Sequence, residues 1–194
     1  MKTAEKLQRK EKEFRFRRAE ILAQAEKIFA GNGFHETTMA QIARASGFSA
    51  GSLYHFFSGK EDLYSVMMME KIDLMYAEIE KAVAREEDIQ GKIRSLVNAH
   101  FAFVENHSDF YHLLVGHESG LRSESLKKLR KHILAKHRRH VDYIEELFRQ
   151  GIEHKLLRPF DTKILAHVLI GIVSYFKYAS ITNPEGTSLS GGVD

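Results

Sequence analysis

The chain has 194 residues, 43% of them apolar and 28% charged, with two prolines, a profile that fits a globular protein with one large core or two small ones and suits helices. Cysteine is absent, which excludes disulfides, thiolate metal sites and a cysteine nucleophile. The net charge of +3 lies wholly in the N-terminal third: residues 1 to 64 hold 11 Lys/Arg against 8 Asp/Glu, and the remainder holds 18 against 18.

The N-terminus alternates charges and has no apolar h-region. The most apolar run, Ile164 to Phe176, is 13 residues long and broken by His167, short of the roughly 20 that span a bilayer. These features predict a cytoplasmic protein with no membrane partner.

Residues 1–13 show no apolar periodicity beyond Leu7 and carry an excess of basic charge, so they read as a flexible or frayed arm. A first amphipathic helix follows from Phe14 through Ile21, Leu22, Ala25, Ile28 and Phe29, and Gly31-Asn32-Gly33 stops it. Arg15, Arg17 and Arg18 stand where side chains can meet phosphates or a minor groove. Thr37 and Thr38 are N-cap residues for a second helix whose buried face is Met39, Ile42 and Ala43. Gly47 can take the left-handed conformation that reverses the backbone, and Phe48 plugs the angle. Ser49 then caps a third helix, Ala50 to about Phe57, by accepting from the amide of Ser52 or its neighbour. With Leu53 and Phe56 or Phe57 turned inward, Ala50, Gly51, Ser52, Tyr54 and His55 remain for the outer face and leading end. Side chains of this kind allow close approach to a duplex and hydrogen bonds to phosphates or base edges. The stretch is a helix-turn-helix.

The spacing T-x-x-x-I-A-x-x-x-G-F-S-x-G-x-L-Y-x-F-F-x-x-K-E-x-L within residues 15 to 64 closely resembles the DNA-binding domain of the TetR/AcrR family of bacterial transcriptional regulators. Two positions depart from the family pattern: Ser46 stands where alanine is usual, and the histidine falls one place early, at His55, with Phe56 in its place. The resemblance implies a duplex-DNA interface with Thr37, Thr38, Ser49, Ala50, Ser52, Tyr54 and His55, and it matches Lys60 to the family's phosphate-contacting lysine. Beyond residue 64 it is architectural only.

Lys60, Glu61 and Asp62 open a fourth helix of more than 20 residues, with apolar positions from Leu63 through Val66, Met67, Ile72, Met75, Ile79 and Val83. Arg85 to Gly91 reads as a loop. A helix with Ile93, Leu96, Val97, His100, Phe101 and Val104 follows, then one after Ser108 that ends at Gly120. A long helix begins near Ser123 or Ser125 and ends near Gly151. Asp161 caps the last, which is apolar nearly all round and must be covered on every side. The family's answer, which the resemblance carries over, is that the last two long helices pair with those of a second subunit.

The expected fold is therefore all-α, with about nine helices: an arm over 1–13, the helix-turn-helix domain over 14–60, an effector-binding and dimerisation domain over 61–182, and a Gly/Ser-rich disordered tail over 183–194. Large apolar and aromatic residues at Phe101, Val104, Phe110, Leu114 and Tyr143, with His100 and Tyr111 as polar anchors, are expected to line an effector pocket against the fourth helix. Their plain alternative is a packed core. The histidines at 100, 107, 112 and 117 are spaced 7, 5 and 5, which places neighbours on different helix faces, and His137 and His140 are three apart on one. No metal site and no cofactor is expected, and no Gly-rich phosphate loop, nucleophile elbow or H-E-x-x-H supports an enzyme. The sequence predicts a homodimeric repressor that binds a palindromic operator in double-stranded DNA and is released by a mostly apolar small molecule. The alternatives are a metal-responsive regulator, a regulator with no effector, and a helical enzyme or adaptor that reuses the helix-turn-helix for packing.

Overall fold

A computed structural model describes residues 2–116 and 124–182, and among them there are eight helices and no strand. The chain divides into two compact units, Met1–Met68 and Met69–Asp194.

In the first unit α1 (Lys2–Glu36) begins at Lys2, so the helix takes in the segment read as a flexible arm. Its residues are good helix formers, and Glu11–Arg15 and Glu13–Arg17 pair one turn apart. The buried face is Ile21, Leu22, Ala25 and Phe29. Helical geometry fails at Gly33, which has φ 79° and ψ 164°, the stop expected there.

α2 (Met39–Ala45) starts with a capping box in which Thr38 and Gln41 each satisfy the other's backbone amide. It ends in a Schellman turn: Gly47 has φ 74°, its amide reaches the Arg44 carbonyl at 3.3 Å, and the Phe48 amide reaches that of Ala43 at 2.8 Å. α3 (Ala50–Leu53) is a single turn. The expected continuation to Phe57 tightens instead into i→i+3 bonds from the amides of His55 and Phe56 to Ser52 and Leu53. Leu53 and Phe57 are buried, while Phe56 stacks on Phe14 at 4.7 Å between ring centres.

α4 (Lys60–Val83) carries Leu63, Tyr64, Met67 and Met68 in the first unit, where Tyr64 packs edge-on against Phe29 and Phe34, each at 5.0 Å. The first core needs these two turns, so the unit boundary falls at residue 68 rather than at 60. In the second unit the rest of α4 is joined by α5 (Ile89–Asn106), α6 (Ser108–Gly116), α7 (Glu124–Glu153) and α8 (Thr162–Thr182). α7 packs along α8, α5 packs on both, and α6 lies against α5 and α8. Asp88 and Asp161 cap α5 and α8 through the amides of Gly91 and Ile164. The predicted tail over 183–194, His117 and the helix end at Gly120 lie outside the described residues. No helix of the described residues is long and apolar enough to cross a membrane.

Gly47→Ala meets no steric contact, yet it places a Cβ on a left-handed backbone. The first unit should lose about 1 kcal/mol of unfolding free energy, with less lost in Gly47→Asn, as measured by denaturant titration.

Candidate DNA interface and effector cavity

The local chemistry of α2 and α3 fixes what the first unit presents to solvent. Ser49 is the N-cap of α3: its Oγ accepts from the Ser52 amide at 3.1 Å and lies 2.8 Å from the Ser52 hydroxyl. Thr38, Ser49, Ala50, Tyr54 and His55 are exposed and Ser52 is half-buried, so six of the eight residues assigned to DNA share an accessible stretch of sequence. Tyr54 is 57% exposed despite its size.

The other two residues are placed differently. Thr37 is fully buried, and its hydroxyl donates to the Gly33 carbonyl at 2.7 Å. Lys60 donates from Nζ to the carbonyls of Phe34, His35 and Thr37 at 2.7, 3.0 and 2.8 Å, and its ammonium stands 4.6 Å from the centre of the Phe34 ring. An ammonium has three donors, and all three are directed inward. Lys60 therefore ties the start of α4 to the carbonyl-rich end of α1, a favourable place for a cation. Arg18 likewise lies over the Phe57 ring at 5.6 Å.

The second unit holds a cavity of about 270 Å³. Ile72, Met75 and Tyr76 of α4 form one wall, His100, Tyr111 and Leu114 another, and α7 and α8 supply Ile133, His137, His140, Ile170 and Lys177. Of the expected pocket residues, His100, Tyr111 and Leu114 line it. Phe101, Val104, Phe110 and Tyr143 do not. Val104 and Phe110 are buried core, Phe101 turns toward Phe176 at 6.2 Å, and Tyr143 stacks on His140 at 6.2 Å. Sequence reasoning missed Lys177 and Tyr76, and weighed His137 and His140 as metal ligands against surface residues or polar groups of a pocket wall. Among the described residues no three His, Asp or Glu side chains gather to hold a metal ion.

Polar groups in this cavity are tightly arranged. His100 lies 2.9 Å from the Leu96 carbonyl through Nδ1 and 3.1 Å from His140 Nε2 through its own Nε2. His140 stacks on Tyr76 at 4.5 Å. Burial, and then the charge of Lys177, hold His100 well below the ordinary imidazole range and push His140 down to about 4. Burial alone pushes Lys177 down to about 8 and Tyr76 up to about 12. Tyr111 is raised further, chiefly by burial, and gives its hydroxyl hydrogen to the Met75 sulfur at 2.9 Å.

α8 presents a second feature. Its inner side, Ala166, Ile170, Val173 and Lys177, is buried, whereas Ile164, Val168, Ile172 and Tyr175 on the outer side are 51%, 53%, 51% and 67% exposed. An apolar stripe of this length is unusual unless something covers it.

Residues 21–67 match the family model for bacterial regulatory proteins of the tetR family. That match places residues 21–67, which hold the helix-turn-helix, in the family. Over 98 residues it is 32% identical to the transcriptional activator FasR of Mycolicibacterium smegmatis, a match that covers 50% of this chain but only 45% of FasR. The fold is similar to the fatty acid degradation regulator FadR from Bacillus halodurans, with a TM-score of 0.74, 22% identity and coverage of 87% and 86% of the two chains. It is also similar to AibR in complex with isovaleryl coenzyme A and operator DNA, with a TM-score of 0.67, 23% identity and coverage of 88% and 89%. The relatives that the chain matches are DNA-binding transcriptional regulators.

Two measurements check the site geometry. Lys60→Ala should lower the stability of the first unit by about 1–2 kcal/mol through loss of the carbonyl ties, and Lys60→Gln should recover only part of it in the same denaturant assay. Unfolding free energy should also fall as the pH drops from about 7 toward 4, by up to about 3 kcal/mol for His140. The sign follows from its lowered folded value: between the two pKa values the unfolded chain binds a proton that the folded chain refuses. His140→Phe should flatten that slope.

Proposed function

We propose that this regulator is a cytoplasmic, homodimeric repressor that binds a palindromic operator and leaves it when a small molecule fills the cavity of the second unit. The observation that carries this reading is the wall of the cavity: Ile72, Met75 and Tyr76 belong to α4, the helix that begins at Lys60 and contributes Leu63 to Met68 to the core of the DNA-binding unit. Whatever occupies the cavity presses on a helix that the first unit cannot do without. The coenzyme A thioester in the AibR complex shows that a similar fold accommodates both an acyl ligand and operator DNA.

Dimerisation is supported by the exposed stripe on α8. A second copy covers it by two-fold symmetry, each stripe facing its own equivalent. A two-fold dimer presents two α3 segments, which is why the operator is expected to be palindromic, with half-sites about one helical turn or a multiple apart. Within each half-site Ser49, Ala50, Ser52 and His55 carry the base selectivity, while Thr38 and Tyr54 hold phosphates.

Enrichment of bound duplexes from a random pool should return an inverted repeat, and a single unrepeated site would contradict the dimeric reading. Val168→Glu or Ile172→Glu should give monomers in light scattering, since an unpaired carboxylate at the covered stripe costs several kcal/mol. Affinity for the selected repeat should then fall by about tenfold or more, toward that for a lone half-site.

A further inference from the structure

The first turns of α1 belong to no core. From position 5 to position 17 every residue is exposed, and the apolar ones form no stripe: Leu7 and Phe16 are nine positions apart, about 180° around the helix, so neither a partner helix nor a bilayer meets a continuous apolar face. What the segment carries is charge. Residues 5–17 hold six Lys/Arg against three Asp/Glu. Glu11 and Glu13 are taken up by Arg15 and Arg17, whereas Lys6, Arg9, Lys10 and Lys12 make no ion pair among the described residues. One contact fixes where this charge stands: Phe14 stacks at 4.7 Å on Phe56, the residue that directly follows the exposed Tyr54 and His55. Beyond that stack, residues 5–13 continue the helix for about 14 Å at 1.5 Å per residue.

We infer that the N-terminal turns of α1 form a second contact with duplex DNA, in which Lys6, Arg9, Lys10 and Lys12 lie along phosphates outside the half-site that α3 reads. The inference rests on the duplex-binding reading and enlarges its footprint. At 100° per residue the four side chains fall within about 160° of the helix circumference, so one side of the helix can present them together. Glu5 is the one acidic residue of the segment without an ion pair among the described residues. A duplex offers a matching row of charge, and a helix segment of about 14 Å passes about four base pairs at 3.4 Å each. An unpacked helix of this length is marginal in water, and phosphate contacts supply the stabilisation that packing does not. Because phosphates carry no sequence information, the contact adds affinity and salt dependence without altering which sequence is preferred.

Two duplexes with the same selected inverted repeat test this, one ending at the repeat and one extended by about ten base pairs on each side. Titrations of the full chain at several salt concentrations should show tighter binding to the extended duplex by about tenfold or more, and a slope of log K against log salt steeper by about two units. The joint substitution Lys6→Gln, Arg9→Gln, Lys10→Gln and Lys12→Gln keeps good helix formers at all four positions. It should remove both differences and leave the preferred sequence and the affinity for the trimmed duplex unchanged. Arginine at the three lysine positions should preserve them. Equal affinity and slope on the two duplexes for the wild-type chain, or a glutamine variant that keeps the wild-type difference, overturns the inference. So does a glutamine variant weakened equally on both duplexes, since the charge then acts inside the half-site. If the fourfold variant fails to fold, Lys6→Gln with Lys10→Gln decides by the same comparison. Light scattering that shows larger assemblies for the wild-type chain than for the variant, with their duplex affinities alike, assigns the segment to a second copy and also overturns it. A chain that selects an inverted repeat but binds both lengths alike defeats this inference only, whereas a chain that selects no duplex defeats the regulatory reading itself.

Discussion

One helix has to satisfy two cores. The first half of α4 buries Leu63, Tyr64, Met67 and Met68, and its second half buries Ile72, Met75, Ile79 and Val83. A helix resists bending unless proline, a π-bulge or an inserted side chain interrupts its ladder, and Lys60 to Val83 contains no proline. In the proposed reading, a shift imposed on Ile72 or Met75 passes along this helix toward Tyr64, whose ring is held by Phe29 and Phe34. The proposed coupling between cavity and duplex rests on this shared element, together with two arrangements of the cavity wall that differ in free energy.

The first unit is stiff where reading DNA requires it. α3 is a single turn, too short to be stable alone, and it is fixed by a Schellman turn before it, a serine cap at its start and the buried Leu53 and Phe57 behind it. Lys60 and Thr37 serve the same end from inside, since both direct polar groups at carbonyls near the end of α1. These contacts hold the end of α1 against the start of α4, next to the segment that carries Ser49, Ser52 and His55.

Much of this was legible in the sequence where a residue type has one physical use. Gly47 at a positive φ, Ser49 as a cap and Asp161 as a cap were each readable, because few other residues do those jobs. The site was harder. Apolar periodicity marks a buried face but does not distinguish a packed position from a cavity wall, so Val104 and Phe110 were expected at the pocket and belong to the core. Lys177 sits near the end of a helix, where lysine is ordinarily solvated, and only the assembled unit shows that α5, α6 and α7 close over it. The family resemblance matched Lys60 to a phosphate contact, and its ammonium also donates to carbonyls 23 to 26 residues away in sequence, contacts that no local pattern encodes.

The central claim is that the cavity and the operator compete through α4. The decisive measurement is the affinity of one cavity ligand for the free protein and for the protein saturated with its selected duplex. Linkage requires that a ligand weakening duplex binding tenfold, about 1.4 kcal/mol, itself bind tenfold more weakly to the duplex-bound form. The account predicts that reciprocal loss, and equal affinity for the two forms would contradict it.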